Sequence, residues 1–157
     1  MKYYHATSQD LAVGTTVSSN RVNTFYVEAS KKMDASKPSE APSRLNALFV
    51  SDNSEFAIYF LQKQGVQLSD IKLYEVQPEG PFKSPFAITH EVDKRISKDI
   101  NCDDLIKEYW EPCHQWKFFE YLTLSFLVVK QLTTEEPDHM LLGFDYDSDK
   151  RKVESFS

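Results

Sequence analysis

Residues 119–132 read FEYLTLSFLVVKQL, the longest β-prone run in the chain, and a carboxylate stands at its second position. Glu120 is flanked by Phe118, Phe119, Tyr121 and Leu122. A carboxylate inside an apolar strand is costly to bury unless something uses it. Glu120 is therefore the first candidate for chemistry in this sequence.

Outward from this run, the elements alternate in type. DDLIKEYWEP, residues 103–112, predicts a short helix, and IKLYEVQP, residues 71–78, alternates as a strand that Pro78, Gly80 and Pro81 stop. NALFVSDNSEFAIYFLQKQG, residues 46–65, reads as a strand over 47–50, a polar turn over 51–54 and an aromatic helix ending near Gly65, with Ser51, Asp52 or Asn53 as its cap. MKYYHAT at the start has the composition of a short strand, and VGTTV after it leads into a second extended piece. A helix capped by Ser18 or Ser19 is expected over 18–32, followed over 34–44 by a mobile loop, since DASKPSEAPSR holds two prolines and three serines. The expected class is α+β, with a domain over 1–133 and an acidic, partly disordered extension over 134–157.

Composition narrows the function classes. At 157 residues, 41% hydrophobic and 13% aromatic, the chain has one domain's worth of core. Twenty-four acidic against 18 basic residues leave a net charge of −6, so bulk electrostatics draw it neither to nucleic acid nor to an anionic membrane. No apolar run reaches the ~18 residues of a membrane span, and the N-terminus lacks the apolar core of a signal peptide, which makes a cytoplasmic protein with no membrane partner the expectation. Cys102 and Cys113 have neither metal-ligand spacing nor a disulfide-rich context and read as two free thiols. There is no repeat, heptad pattern or Gly-rich phosphate loop.

Three stretches carry the remaining chemical signal: Tyr4-His5-Ala6-Thr7, Leu48-Phe49-Val50-Ser51 with Tyr59 ten positions after Phe49, and Glu120-Tyr121-Leu122-Thr123. In this order they resemble the three motifs of the ADP-ribosyltransferase superfamily, in the His-Tyr-Glu branch that includes poly(ADP-ribose) polymerases, diphtheria-type toxins and rifamycin ADP-ribosyltransferases. LYEVQPEGPFKSP, residues 73–85, is similar to the Glu-Pro-x-Gly-Pro segment of the rifamycin-modifying enzymes. The resemblance spans about residues 2–130. Two positions depart from it: Ala6 stands where the family has glycine, and Phe49 where it has tyrosine.

The resemblance implies a split, mixed β-sheet core around a central NAD cleft with a few flanking helices. It implies NAD as co-substrate, no metal, and transfer of ADP-ribose to an acceptor. Glu120, His5 and Tyr59 would be the catalytic set, and His5, Ala6, Thr7, Phe49, Ser51 and Tyr59 would bind NAD. Breaking the nicotinamide–ribose bond builds positive charge on the sugar, so the site needs a fixed negative charge and a flat slot for the leaving ring. Glu120 would supply the charge and hold a ribose hydroxyl, Tyr59 would stack on nicotinamide, His5 with Thr7 would hold a ribose hydroxyl of NAD, and Ser51 would support Glu120.

The acceptor stays open: nucleic acid, protein or a small molecule such as an antibiotic. A toxin of a toxin-antitoxin or antiphage system, with an antitoxin partner, fits the size. For nucleic acid, Lys31, Lys32, Lys37, Arg44, Lys94, Arg95 and Lys98 would form a local basic groove, and Trp110 and Trp116 would stack on bases. His114 would stand on the acceptor side. Two other classes remain, a non-catalytic NAD or ADP-ribose binding module and an interaction protein on an unrelated α+β fold.

Overall fold

The computed structural model describes residues 1–20, 22–114, 116 and 118–137. Most of the acidic extension, 138–157, lies outside them.

Among the described residues, seven strands and four α-helices follow one another as β1 (Tyr3–Thr7), β2 (Thr16–Ser18), α1 (Val27–Asp34), β3 (Leu48–Val50), α2 (Ser54–Lys63), β4 (Lys72–Pro78), β5 (Phe82–Pro85), α3 (Phe86–Ser97), α4 (Asp103–Trp110), β6 (Phe119–Thr123) and β7 (Ser125–Leu132). They form an α+β protein of two sheets, one ordered β1-β4-β7-β2 and the other β3-β6-β5. Each ladder among the described residues is antiparallel, so the split into two sheets agrees with expectation and the mixed strand orientation does not. No helix among them is long and apolar enough to cross a membrane.

The run 119–132 is not one strand. At Leu124 the chain leaves the three-stranded sheet and enters the four-stranded one, so β6 and β7 are central strands of different sheets. Thr123 Oγ1 donates to the Glu79 carbonyl at 2.6 Å and accepts from the Ser125 amide at 3.4 Å, tying the corner to the end of β4. The sheets meet a second time at their edges, where Tyr4 and Ser51 exchange backbone hydrogen bonds of 2.7 and 2.9 Å.

Alternation along the strands sorts the core into layers. Leu48, Val50, Tyr121, Tyr74, Val76, Phe126 and Val128 fill the space between the sheets. From the other face of the three-stranded sheet, Phe49 and Leu122 pack against Met33 of α1, Ile88 and Val92 of α3, and Leu105 and Tyr109 of α4. Ala57 and Ile58 of α2 cover Ala6 and Leu73 of the four-stranded sheet. Glu120 shares the parity of Leu122 and so projects toward the helices.

Local signals account for most boundaries. The Asn53 side chain accepts from the Phe56 amide at 3.1 Å and caps α2. α1 begins at Val27 rather than near Ser18, and residues 82–97, for which the sequence carried no assignment, form β5 and α3. The 34–44 segment is tied rather than free. Asp34 accepts from the Ser43 hydroxyl at 2.5 Å and the Arg44 amide at 2.8 Å, closing the loop on the end of α1, and Lys37 donates to the Ala41 carbonyl.

Candidate functional site

Glu120 sits on the central strand of the three-stranded sheet, opposite Ser84 of β5, and is 5% exposed. Its Oε2 accepts from Arg44 Nη1 at 2.8 Å and from the Tyr109 hydroxyl at 3.1 Å. Arg44 is buried to 1% and spans the site: it also donates to the Tyr109 hydroxyl and to Ser30 Oγ, and its guanidinium lies 4.9 Å from the Phe49 ring centre. Burial works against the guanidinium charge, but Tyr109 and Glu120 outweigh it, and Arg44 stays protonated. Burial likewise pushes the Glu120 carboxyl up, and Arg44 and Tyr109 pull it back without cancelling the rise. Both hydrogen bonds of the carboxylate fall on Oε2, and Glu120 lines two cavities.

Three cavities adjoin here through shared lining residues, and Glu120 lines two of them. The first, about 30 Å³, is lined by Glu120, Phe119, Phe86, Phe56, Ala6, Phe49 and Ser51. A second, about 230 Å³ and more polar, shares Phe49 with the first and is lined by His5, Thr7, Gln9, Asn23 and Gln64. The third, about 20 Å³, is lined by Glu120 with Arg44, Lys63, Thr89, His90 and Tyr26. Phe60 lines all three.

Six of the seven residues singled out from sequence stand on this cleft. His5, Ala6, Thr7, Phe49, Ser51 and Glu120 arrive from β1, from β3 with the turn after it, and from β6, across 115 positions of sequence between His5 and Glu120. The His5 ring is fixed: its Nδ1 donates to the Phe49 carbonyl at 2.8 Å and the ring lies 4.8 Å from that of Phe126. A carbonyl only accepts, so the contact places the proton on Nδ1. Ser51 does not support Glu120. Its hydroxyl accepts from the Asn53 amide at 3.1 Å and shapes the turn into α2.

Tyr59 is the exception. It is 6% exposed, belongs to the core cluster with Phe56 and Ile88, and lines none of the three cavities. The aromatics that α2 presents to these cavities are Phe56 and the residue next to Tyr59, Phe60. The tryptophans proposed as base stackers are core residues as well, Trp110 at 5% and Trp116 at 8% exposure. Arg44 leaves the basic groove for the same reason, and Arg95 is paired with Glu91 at 3.3 Å.

The sequence also hid several groups at the cleft. Tyr26 adopts φ 49°, a left-handed conformation unfavourable for a bulky residue, and its hydroxyl pairs with His90 Nδ1 at 3.1 Å. Burial, then the charge of Lys63, lowers the His90 pKa, so its neutral form is favoured. Thr89 Oγ1, in the wall of the third cavity, is buried with no hydrogen-bond partner among the described residues. A ligand hydroxyl or carbonyl would satisfy it. No model of a known protein family matches the chain, and no curated protein sequence matches it. What speaks for a function is therefore this arrangement of side chains.

Proposed function

We propose that the protein is an NAD-dependent mono-ADP-ribosyltransferase of the His-Tyr-Glu type, built on the ADP-ribosyltransferase fold, with Glu120 as its catalytic carboxylate. The observation that carries this is that His5, Phe49 and Glu120, from three strands in two sheets, line two adjoining cavities that share Phe49 and Phe60. In this reading Glu120 Oε1 accepts a hydrogen bond from the ribose beside the bond that breaks and faces the positive charge that develops there. Arg44 and Tyr109 grip Oε2 and fix the carboxylate, so no reorganisation is needed as the charge appears. Phe60 and Phe49 offer the flat apolar faces for nicotinamide, in place of Tyr59. His5, held by its Nδ1 bond to the Phe49 carbonyl, and Thr7 line the cavity that would take the sugar hydroxyls.

A second reading is favoured by one feature of the site. Arg44 gives Glu120 a structural partner, so a buried carboxylate here is explained without catalysis, as in a module that only binds NAD or ADP-ribose. Incubation of the protein with NAD labelled in the adenylate, together with separate pools of protein, RNA, DNA and small metabolites, distinguishes the two. Transfer of label to one pool, or release of nicotinamide, supports the enzyme; binding of NAD with neither supports the module.

A further inference from the structure

The connection from α4 to β6 contains a second cluster of functional side chains. Glu108, in the last turn of α4, turns one carboxylate oxygen toward Cys113 and His114 and the other toward a set of N–H donors. Its Oε2 accepts from the Cys113 amide at 2.9 Å, the His114 amide at 3.3 Å and the Trp116 indole N–H at 2.9 Å. Its Oε1 meets Cys113 Sγ at 3.1 Å and His114 Nδ1 at 2.8 Å, and these two atoms are 3.5 Å from each other.

We propose that Glu108 Oε1, Cys113 Sγ and His114 Nδ1 form a three-ligand site for a divalent transition metal, with zinc as the ion this donor set suits and water as its fourth ligand. A thiolate, an imidazole and a carboxylate are the donors zinc takes, and bond lengths of ~2.0–2.3 Å in a tetrahedron set donor–donor edges of ~3.3–3.6 Å. The S–N edge of 3.5 Å already has this length, and the two edges to Oε1 need to open by only ~0.4–0.5 Å. The three N–H groups on Oε2 are the outer support that orients a metal-binding carboxylate. Glu108 is partly covered, with 11% side-chain exposure, while His114 at 42% leaves an entry path.

Binding balances simply. The Cys113 thiol loses its proton to solvent, the His114 proton moves from Nδ1 to Nε2, and zinc gains two anionic ligands and one neutral one, so one proton leaves per metal. The ion would tie Cys113 and His114 to the last turn of α4, the helix that brings Tyr109 to Glu120. This site is independent of the proposed activity.

The test titrates cobalt(II), then zinc, into the untagged, chelator-treated 157-residue chain. Expected are one cobalt per chain, a thiolate-to-cobalt charge-transfer band that zinc abolishes, and one proton released. Cys113→Ser and His114→Ala should each lose the band and weaken binding by ~10-fold or more, Trp116→Phe by about 10-fold, and Cys102→Ala should change nothing. Cys113 is exposed, so its serine variant keeps the fold, which circular dichroism checks. Absence of saturable binding, or binding unaltered in Cys113→Ser, overturns the assignment and leaves a hydrogen-bonded cluster only.

Discussion

Glu108 and Glu120 are twelve positions apart, each accepts several hydrogen bonds, and burial moves both in the same direction, yet they end with opposite acidities. At Glu108 burial raises the pKa, but donors from Trp116, Cys113 and His114 overturn it and the carboxyl is more acidic than usual. Glu120 is more deeply buried, and one guanidinium and one hydroxyl on a single oxygen do not offset it. The difference teaches that the number and placement of donors decide the outcome. Glu108 has both oxygens occupied near the surface; Glu120 has its hydrogen bonds on one oxygen alone and bears the desolvation.

The contrast is broken most forcefully through Arg44. Arg44→Met leaves Glu120 buried without its cation and should destabilise the fold by about 3–5 kcal/mol, while Arg44→Met with Glu120→Leu recovers most of that loss. Glu108→Gln, near the surface, should cost only about 1–2 kcal/mol. Urea unfolding measures all three. A loss below about 1 kcal/mol in Arg44→Met would mean that the pair does not hold the helices to the central sheet.

A pH series sharpens the same comparison with a smaller effect. Glu120, faced by Arg44 from the loop before β3, Tyr109 from α4 and Tyr26 from the start of α1, holds its proton more tightly folded than unfolded. Its contribution to stability is therefore full below the ordinary carboxylate pKa and declines as pH rises through the raised folded value, by about 1.4 kcal/mol for each tenfold difference in proton affinity between the folded and unfolded chain. Subtracting the Glu120→Gln profile from that of the wild type isolates this slope. A difference that grows with pH would assign Glu120 a lowered pKa and reverse the contrast with Glu108.

The smallest effect concerns neighbouring aromatics. Phe60→Ala should weaken NAD binding by about 0.5–1.5 kcal/mol, or roughly 2–10-fold, whereas Tyr59→Leu, which removes the ring but keeps an apolar side chain in the core, should leave it unchanged once shown to be folded. Calorimetry with NAD reads both, and the opposite ranking would return the stacking role to Tyr59.

These outcomes trace what the sequence could and could not disclose. Glu120 was legible because a carboxylate between Phe119 and Tyr121 violates the pattern of a buried strand, whereas His5 and Phe49 stand out only through the resemblance of their stretches to the ADP-ribosyltransferase motifs. Arg44 was not, since it ends a loop of prolines and serines and looks solvated until Asp34 closes that loop behind it. The choice between Tyr59 and Phe60 was equally hidden: FAIYFL is apolar on every side, so periodicity gives no phase to say which ring meets the cleft. The run 119–132 reads as one strand because Leu124 interrupts neither hydrophobicity nor β propensity. Only Thr123, bonded back to Glu79, marks the change of sheet. The Glu108 cluster left no motif because its members are split between a helix end and the loop beyond it.

The central claim is that the Glu120 carboxylate stabilises a developing positive charge. It is tested most directly by nicotinamide release from NAD, with NAD affinity measured on the same preparations, in the wild type and in Glu120→Gln shown to be folded by circular dichroism. The account predicts that release falls by at least ~10²–10³-fold in the variant while NAD affinity changes far less, because the ground-state ribose carries no such charge. Release at the wild-type rate in the glutamine variant, or a loss of affinity as large as the loss of rate, would contradict it.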